Sequence, residues 1–151
     1  MLALIDSLPE VELDMLRLCD FYLVFPSEIS NIRLPNDISH GRKIGKAASN
    51  IYRNPINAKH VFRDMSEIQL SALRNIAASG LIDIELYERG IARKRSKVQI
   101  PELISQQIKS YLETQSETIE FVIKSLSKVP LRGINGLKHR TELLEHRYDT
   151  P

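Results

Sequence analysis

DMSEIQLSALRNIAASGLIDIELYERGIARKRSKVQI, residues 64–100, is the stretch whose reading decides the fold. Its first part has helical character from Met65 to Ser79, with Ile68, Ala72, Leu73, Ile76 and Ala77 on one face. Ser66-Glu67-Ile68-Gln69 fits a capping box, in which serine and glutamine satisfy each other's backbone donors, and Met65 with Leu70 fits a hydrophobic staple. Asp64 with Glu67 is an alternative cap. Gly80 supplies the left-handed residue that lets a chain leave a helix sharply. Leu81 to Tyr87 then alternates, Ile82, Ile84 and Leu86 against Asp83 and Glu85, as a half-buried strand does. Glu88-Arg89-Gly90 reads as a turn, and Ile91 to Ile100 as a basic returning strand.

Helix, strand, tight turn and basic strand, in that order, form the pattern of a winged helix. The fold class expected is therefore mainly α with a small β-hairpin: a winged-helix domain over residues 1–100, a long amphipathic helix over 101–129, and a linker with a short terminal helix over 130–151. In DNA-binding winged helices the helix before the wing enters the major groove. Here that helix exposes Glu67, Ser71, Arg74 and Asn75, weak equipment for reading base edges. The wing is better supplied.

Working outward, the first helix spans Glu10 to Phe25, with Leu13, Leu16, Cys19 and Leu23 at helical spacing and Leu18, Phe21, Tyr22 and Val24 widening the stripe. Such a helix is deeply buried or covered by a partner. A second helix is expected from Ser39 to Arg53, ended by Asn54-Pro55. Ile56 to Arg63 fits a short helix or an extended piece. Beyond Pro101 an amphipathic pattern runs through Leu103, Ile104, Ile108, Tyr111 and Leu112, is interrupted by the polar Glu113 to Thr118, and resumes to Lys128. Unbroken, that helix would be roughly 40 Å long, more than a domain of this size covers by itself. A last helix is expected from Leu137 to Tyr148.

The net charge of +2 conceals a division along the 151 residues. Six basic residues and no acidic one lie between Arg42 and Arg63, five basic and one acidic between Glu88 and Lys97, while Met1 to Gly41 holds seven acidic and two basic. Arg89, Arg93, Lys94, Arg95 and Lys97, aided by Arg42, Lys43 and Lys46, are the candidate contacts to nucleic-acid backbone, without sequence preference. The plainer reading is that an exposed hairpin is charged to stay soluble and to blunt its edge. Leu16, Phe21, Tyr22 and Phe25 of the first helix and Ile108, Tyr111, Leu112, Phe121, Val122 and Leu126 of the long one are the candidate partner-binding residues; ordinary core is the alternative for each.

Catalytic constellations are missing from the pattern, and the chain is not expected to be an enzyme. His40, His60, His139 and His146 are scattered, so no metal is expected. Gly41-Arg42-Lys43-Ile44-Gly45-Lys46 lacks the spacing of a phosphate loop. Cys19, in an apolar helix beside Asp20, lacks the setting of a reactive thiolate. No cofactor and no small-molecule substrate are implied. With no apolar run of spanning length and no signal-peptide pattern, a cytoplasmic protein without a membrane partner is expected.

Leu16-Arg17-Leu18-Cys19-Asp20-Phe21-Tyr22-Leu23-Val24-Phe25-Pro26, the helix end Ser79-Gly80-Leu81-Ile82, the basic hairpin and the overall length together resemble the small middle components of bacterial three-component ABC systems, the group that includes the accessory subunit of Lamassu-type antiphage defence. The resemblance covers Leu16 to about Lys128. It implies a non-enzymatic winged-helix adaptor that docks on an SMC-like ABC ATPase in an antiphage or anti-plasmid complex, helps it engage DNA and holds or releases a separate effector. No catalytic residues carry over. The competing class is a homodimeric winged-helix transcription regulator.

Overall fold

The computed structural model describes residues 1–50, 52, 54–114 and 116–145. At its centre is α2, Leu13–Val24, a 12-residue helix that buries Met15, Leu16, Leu18, Cys19, Phe21, Tyr22 and Leu23. Because the apolar stripe nearly encircles it, α2 is packed on several sides. It is met by α1 (Leu2–Ser7), α4 (Ala58–Ala78), α7 (Ser116–Lys124) and the 3-10 turn Leu126–Lys128. Phe21 stands edge-on to Tyr22 at 5.3 Å and to Phe62 of α4 at 5.6 Å between ring centroids. One cluster of buried side chains extends from Leu4 to Leu143, so residues on both sides of position 100 share a single core.

After α2 the chain stops at Phe25-Pro26 and makes the 3-10 segment Pro26–Asn31, against which α3 (Gly41–Ala47) lies. The helix expected to reach Arg53 ends at Ala47, with Ala48 as its cap. Ile51 and Arg53, its expected last turn, lie outside the described residues. The next helix begins earlier than its capping-box signal: Asn57 accepts from the backbone N–H of His60 at 2.9 Å, and α4 runs 21 residues from there. The ambiguous Ile56 to Arg63 is thus mostly the first turns of α4, and Ser66 lies inside the helix rather than at its start. Gly80 leaves it with φ +70°, as expected of a left-handed exit.

The expected strand from Leu81 to Tyr87 is replaced by a short helix, α5, Ile84–Glu88. The physical reason is Asp83, whose carboxylate accepts from the backbone N–H groups of Glu85 at 3.1 Å and Leu86 at 3.2 Å. Such a cap satisfies donors that a strand would have to pair across a ladder. Only the base of the expected hairpin survives, as a bridge between Ile82 and Lys94. The returning segment instead forms β2, Ile91–Ala92, antiparallel to β1, Val11–Glu12, with Val11 opposite Ala92.

The long helix is seen as α6, Glu102–Thr114, and α7, Ser116–Lys124. Its continuity turns on Gln115, outside the described residues. Helical geometry stops at Lys124 and a 3-10 turn follows, so the helix does not reach Lys128 as expected. Its two parts differ in role: α7 buries Ile119, Phe121 and Val122, whereas α6 buries only Ile108 and rests on α1. The last helix, α8, covers Leu137–Thr141 and ends at Glu142 with φ 58°, short of the expected Tyr148; His146 and Tyr148 lie outside the described residues. Leu143 and Leu144 nevertheless pack on the core.

Candidate functional site

The basic returning segment is fixed by the β1–β2 pair and by Asp83, and this geometry sorts its charges. Arg93 donates to Asp83 at 3.0 Å and lies 3.6 Å from Glu10, while Lys94 pairs with Asp6. Asp83 therefore does two jobs. The Leu86 backbone N–H first, and then the Arg93 guanidinium, hold its carboxyl below the usual aspartate range. Arg89, Arg95 and Lys97 remain exposed, and none of the described residues makes an ion pair with them.

The second basic group, Arg42, Lys43 and Lys46, is exposed on α3. It does not join the first. The N–H of Leu13, at the start of α2, donates to the Gly90 carbonyl at 2.8 Å, whereas α3 packs on the segment that follows the end of α2. The length of α2, about 18 Å, separates the two groups. Charge polarity along the sequence is also largely folded inward. Glu12 pairs with Arg132 at 2.7 Å, and Asp14 with Lys138 at 3.2 Å and Arg17 at 3.5 Å, so the acidic first segment meets cations of its own chain.

Of the apolar candidates, Leu16, Phe21, Tyr22, Phe121, Val122 and Leu126 are core residues of this chain. They are already covered because α2 and α7 face one another, and they offer no surface to a partner in this conformation. Ile108 is buried as well; Phe25 and Leu112 are half-buried. Tyr111 is 39%, Ile104 36% and Leu103 69% exposed, making an apolar edge along α6 beside a shallow groove shared with Met1, Leu2 and Leu23. Partial burial beside Asp20 pushes the Tyr111 phenol up.

Sequence reasoning missed two features. Tyr52, which helical spacing puts on the apolar face of the expected second helix with Ile44, Ala47 and Ala48, is almost fully exposed because α3 ends at Ala47, and so is Ile56 in the segment that fits a short helix or an extended piece. Gln69, read as part of a helix start, is buried mid-helix between Arg17 and Asp20. Its signal was a polar residue on the apolar face of α4, between Phe62 and Leu73.

Cys19 is fully enclosed, and burial, with Asp20 adding to it, pushes its thiol up to about 12. Burial also pushes the Tyr22 phenol well up, helped by Glu28. His60 faces Asp64 at 3.3 Å, and His40 sets its ring edge-on to Phe121. Among the described residues no three His, Cys, Asp or Glu side chains are grouped as metal ligands would be, and no helix is long and apolar enough to cross a membrane. Gly41 and Gly45 serve packing: a Cβ on Gly41 would meet the Phe121 ring at 2.2 Å and one on Gly45 the Ser30 backbone nitrogen at 2.5 Å.

Comparison with curated proteins and with solved structures gives no match. The family model of the ABC-three component (ABC-3C) system Middle Component 5, in contrast, matches residues 1–149, nearly the whole chain. The chain therefore belongs to that family, the middle component of a three-component ABC system.

Proposed function

We propose that this chain is a non-catalytic, cytoplasmic adaptor that docks on an SMC-like ABC ATPase in an antiphage or anti-plasmid defence complex, helps that ATPase engage DNA, and controls a separate effector. The observation that carries the docking is α6. This 13-residue helix buries Ile108 alone and leaves Leu103, Ile104 and Tyr111 open along one edge. An apolar edge on a helix held by so little of its own chain is the kind of surface a permanent partner covers.

The DNA contact falls to Arg89, Arg95 and Lys97, the cations of the basic returning segment and its turn that none of the described acidic residues pairs with, which would grip phosphate rather than read bases. The order of the extended segments supports the winged-helix reading: residues 91–94 lie between Val11–Glu12 and Ile82. In this reading α5 occupies the wing.

The test is to purify the chain co-expressed with its two sister components, with Leu103→Asp and Ile104→Asp introduced together, and to plate phage on cells carrying each version. The expected result is that the wild type co-purifies and protects, whereas the double variant folds, separates from the ATPase and loses protection. Assembly and protection unchanged by the two aspartates would refute docking through α6.

A further inference from the structure

α1 and α6 leave a groove of about 230 Å³ between them, lined by the buried Leu4, Leu23 and Ile108 and by Ile104, Gln107 and Tyr111 on the open edge of α6. That volume exceeds the roughly 150 Å³ that takes up a benzene ring and falls short of the roughly 300 Å³ at which pockets for drug-sized ligands begin. It suits apolar side chains of a passing segment rather than a free ligand. From Leu103 to Tyr111 the edge is about 12 Å long, two turns of helix.

Among the described residues, no side chain lining the groove is charged. Helical spacing gathers the charges of α6, Glu102, Lys109 and Glu113, on its opposite face, where Gln106 donates to Glu102 at 3.1 Å. On α1 and α2 each charged side chain has a partner in this chain: Asp6 pairs with Lys94, Asp14 with Arg17 and Lys138, and Asp20 with the Met1 amine. Glu117 of α7 opens onto a different depression, beside Phe25 and Ile44. A charge carried into this groove would therefore lose its water and gain no counter-ion. Gln107 is exposed in the middle of the edge, and no described residue hydrogen-bonds its amide. Once covered, that amide needs a partner.

Backbone hydrogen bonding decides the form of the occupant. α1 and α6 bond within themselves and present no ladder edge, so an extended segment in the groove would leave its own N–H and C=O groups without partners. A helix brings its backbone already bonded and enters with apolar side chains at i, i+3 or i+4, and i+7. A strip of two turns is far smaller than the roughly 800 Å² per partner of a stable pair, so the occupant belongs to a component that also touches the chain elsewhere. We infer that the groove between α1 and α6 holds an amphipathic α-helix of the ATPase component, laid along α6 with an uncharged apolar seam and one hydrogen-bonding side chain opposite Gln107. This deepens the docking through α6 and rests on the adaptor reading.

The experiment uses the three co-expressed components with p-benzoylphenylalanine placed in turn at Leu103, at Gln107 and, on the opposite face, at Lys109. Irradiation of the purified complex is expected to cross-link the first two to one stretch of the ATPase, at uncharged positions three or four residues apart, and the third to nothing there. Gln107→Glu, at an exposed position that leaves the fold intact by circular dichroism, is expected to weaken assembly by roughly thirtyfold or more, and Gln107→Leu by about tenfold. Cross-links to the effector, to nucleic acid or to a second copy overturn the helix in the groove while leaving the adaptor standing. So do targets without helical spacing, an intact complex with no cross-link from Leu103 or Gln107, and a Gln107→Glu variant that assembles like the wild type. Failure of the wild type to assemble with its sisters overturns the adaptor reading and this inference with it.

Discussion

Gln69 of α4 donates its side-chain amide to Asp20 Oδ2 of α2 at 3.0 Å, and Asp20 Oδ1 accepts from the α-amine of Met1 at 3.0 Å. The same amide donates to the Arg17 carbonyl at 3.2 Å, and Gln69 Oε1 accepts from Arg17 Nε at 3.2 Å. At 2% exposure, the glutamine is a buried polar group with its bonds made, and it fixes the register of α4 on α2. Gln69→Leu leaves Arg17 and Asp20 short of partners and is expected to cost about 2–3 kcal/mol in urea unfolding. Gln69→Glu sets a second carboxylate against Asp20. That variant is expected to lose more stability at pH 7 than at pH 4.5, because protonating one of the pair relieves the repulsion. A Gln69→Leu variant as stable as the wild type would mean the network is incidental.

Asp83 decides helix against strand in the segment after Gly80. Asp83→Asn keeps the cap and loses the charge, whereas Asp83→Ala loses both. Hydrogen exchange at the Glu85 and Leu86 amides is expected to be slow in the wild type and in Asn, and fast in Ala. The sign of the pH effect follows from the depressed carboxyl. Its contribution is fully present above the ordinary aspartate value of about 3.9 and disappears as pH falls through the lower folded value. Amide protection in the wild type should therefore persist below pH 4 and then collapse, while Asp83→Asn shows no such step.

How much was legible follows from which forces are local. The wide stripe of α2 and the exit at Gly80 were readable because periodicity and glycine chemistry act within a few residues. The strand from Leu81 failed because alternation over so short a run also fits a capped turn of helix, and Asp83 outweighed it. The pairing of Val11 with Ala92 could not be read locally, since its partners meet only after α2 and α4 have packed. The basic group was legible as composition. Its division was not, because Arg93 and Lys94 meet Glu10, Asp83 and Asp6 only in the fold. For Leu16, Phe21 and Val122 the pattern of a buried helix is the same whether its own chain or a partner covers it, and here its own chain does.

Cys19 gives a reactivity prediction. Enclosed and pushed up to about 12, it is expected to be inert to Ellman's reagent at pH 8 in the folded protein and fully reactive in urea. For an acid whose folded value is raised, stability is lost as pH rises above the unfolded value. Unfolding free energy should therefore fall by about 1.4 kcal/mol per pH unit from this group above roughly pH 8.5. Cys19→Ala should remove that slope while opening a small cavity. A thiol that titrates normally in the native state would contradict the burial.

Separating the hairpin cations yields a contrast that solubility alone does not predict. Arg89→Glu, Arg95→Glu and Lys97→Glu together are expected to weaken duplex binding by the assembled complex and to lower the slope of log affinity against log salt by roughly 2–3. Arg93→Gln with Lys94→Gln should leave that slope nearly unchanged and lower the thermal midpoint instead, because these two hold Glu10, Asp83 and Asp6. Equal slopes in all three proteins would remove the backbone contact from the tip.

The placement of α3 depends on two glycines that resist substitution for different reasons. Replacing a helical glycine by alanine ordinarily gains about 1 kcal/mol of helix propensity. At Gly45 the new methyl would meet the Ser30 backbone nitrogen at 2.5 Å, and backbone cannot yield without shifting the whole 3-10 segment. At Gly41 it would meet the Phe121 ring, a side chain that a smaller residue can replace. Both variants are expected to lose about 1–3 kcal/mol by overpacking. Only Gly41→Ala should be rescued by Phe121→Leu. A double-mutant cycle would then show a coupling of at least about 1 kcal/mol for that pair and none between Gly45 and Phe121. If Gly45→Ala instead stabilised the protein, α3 would not be seated through that contact.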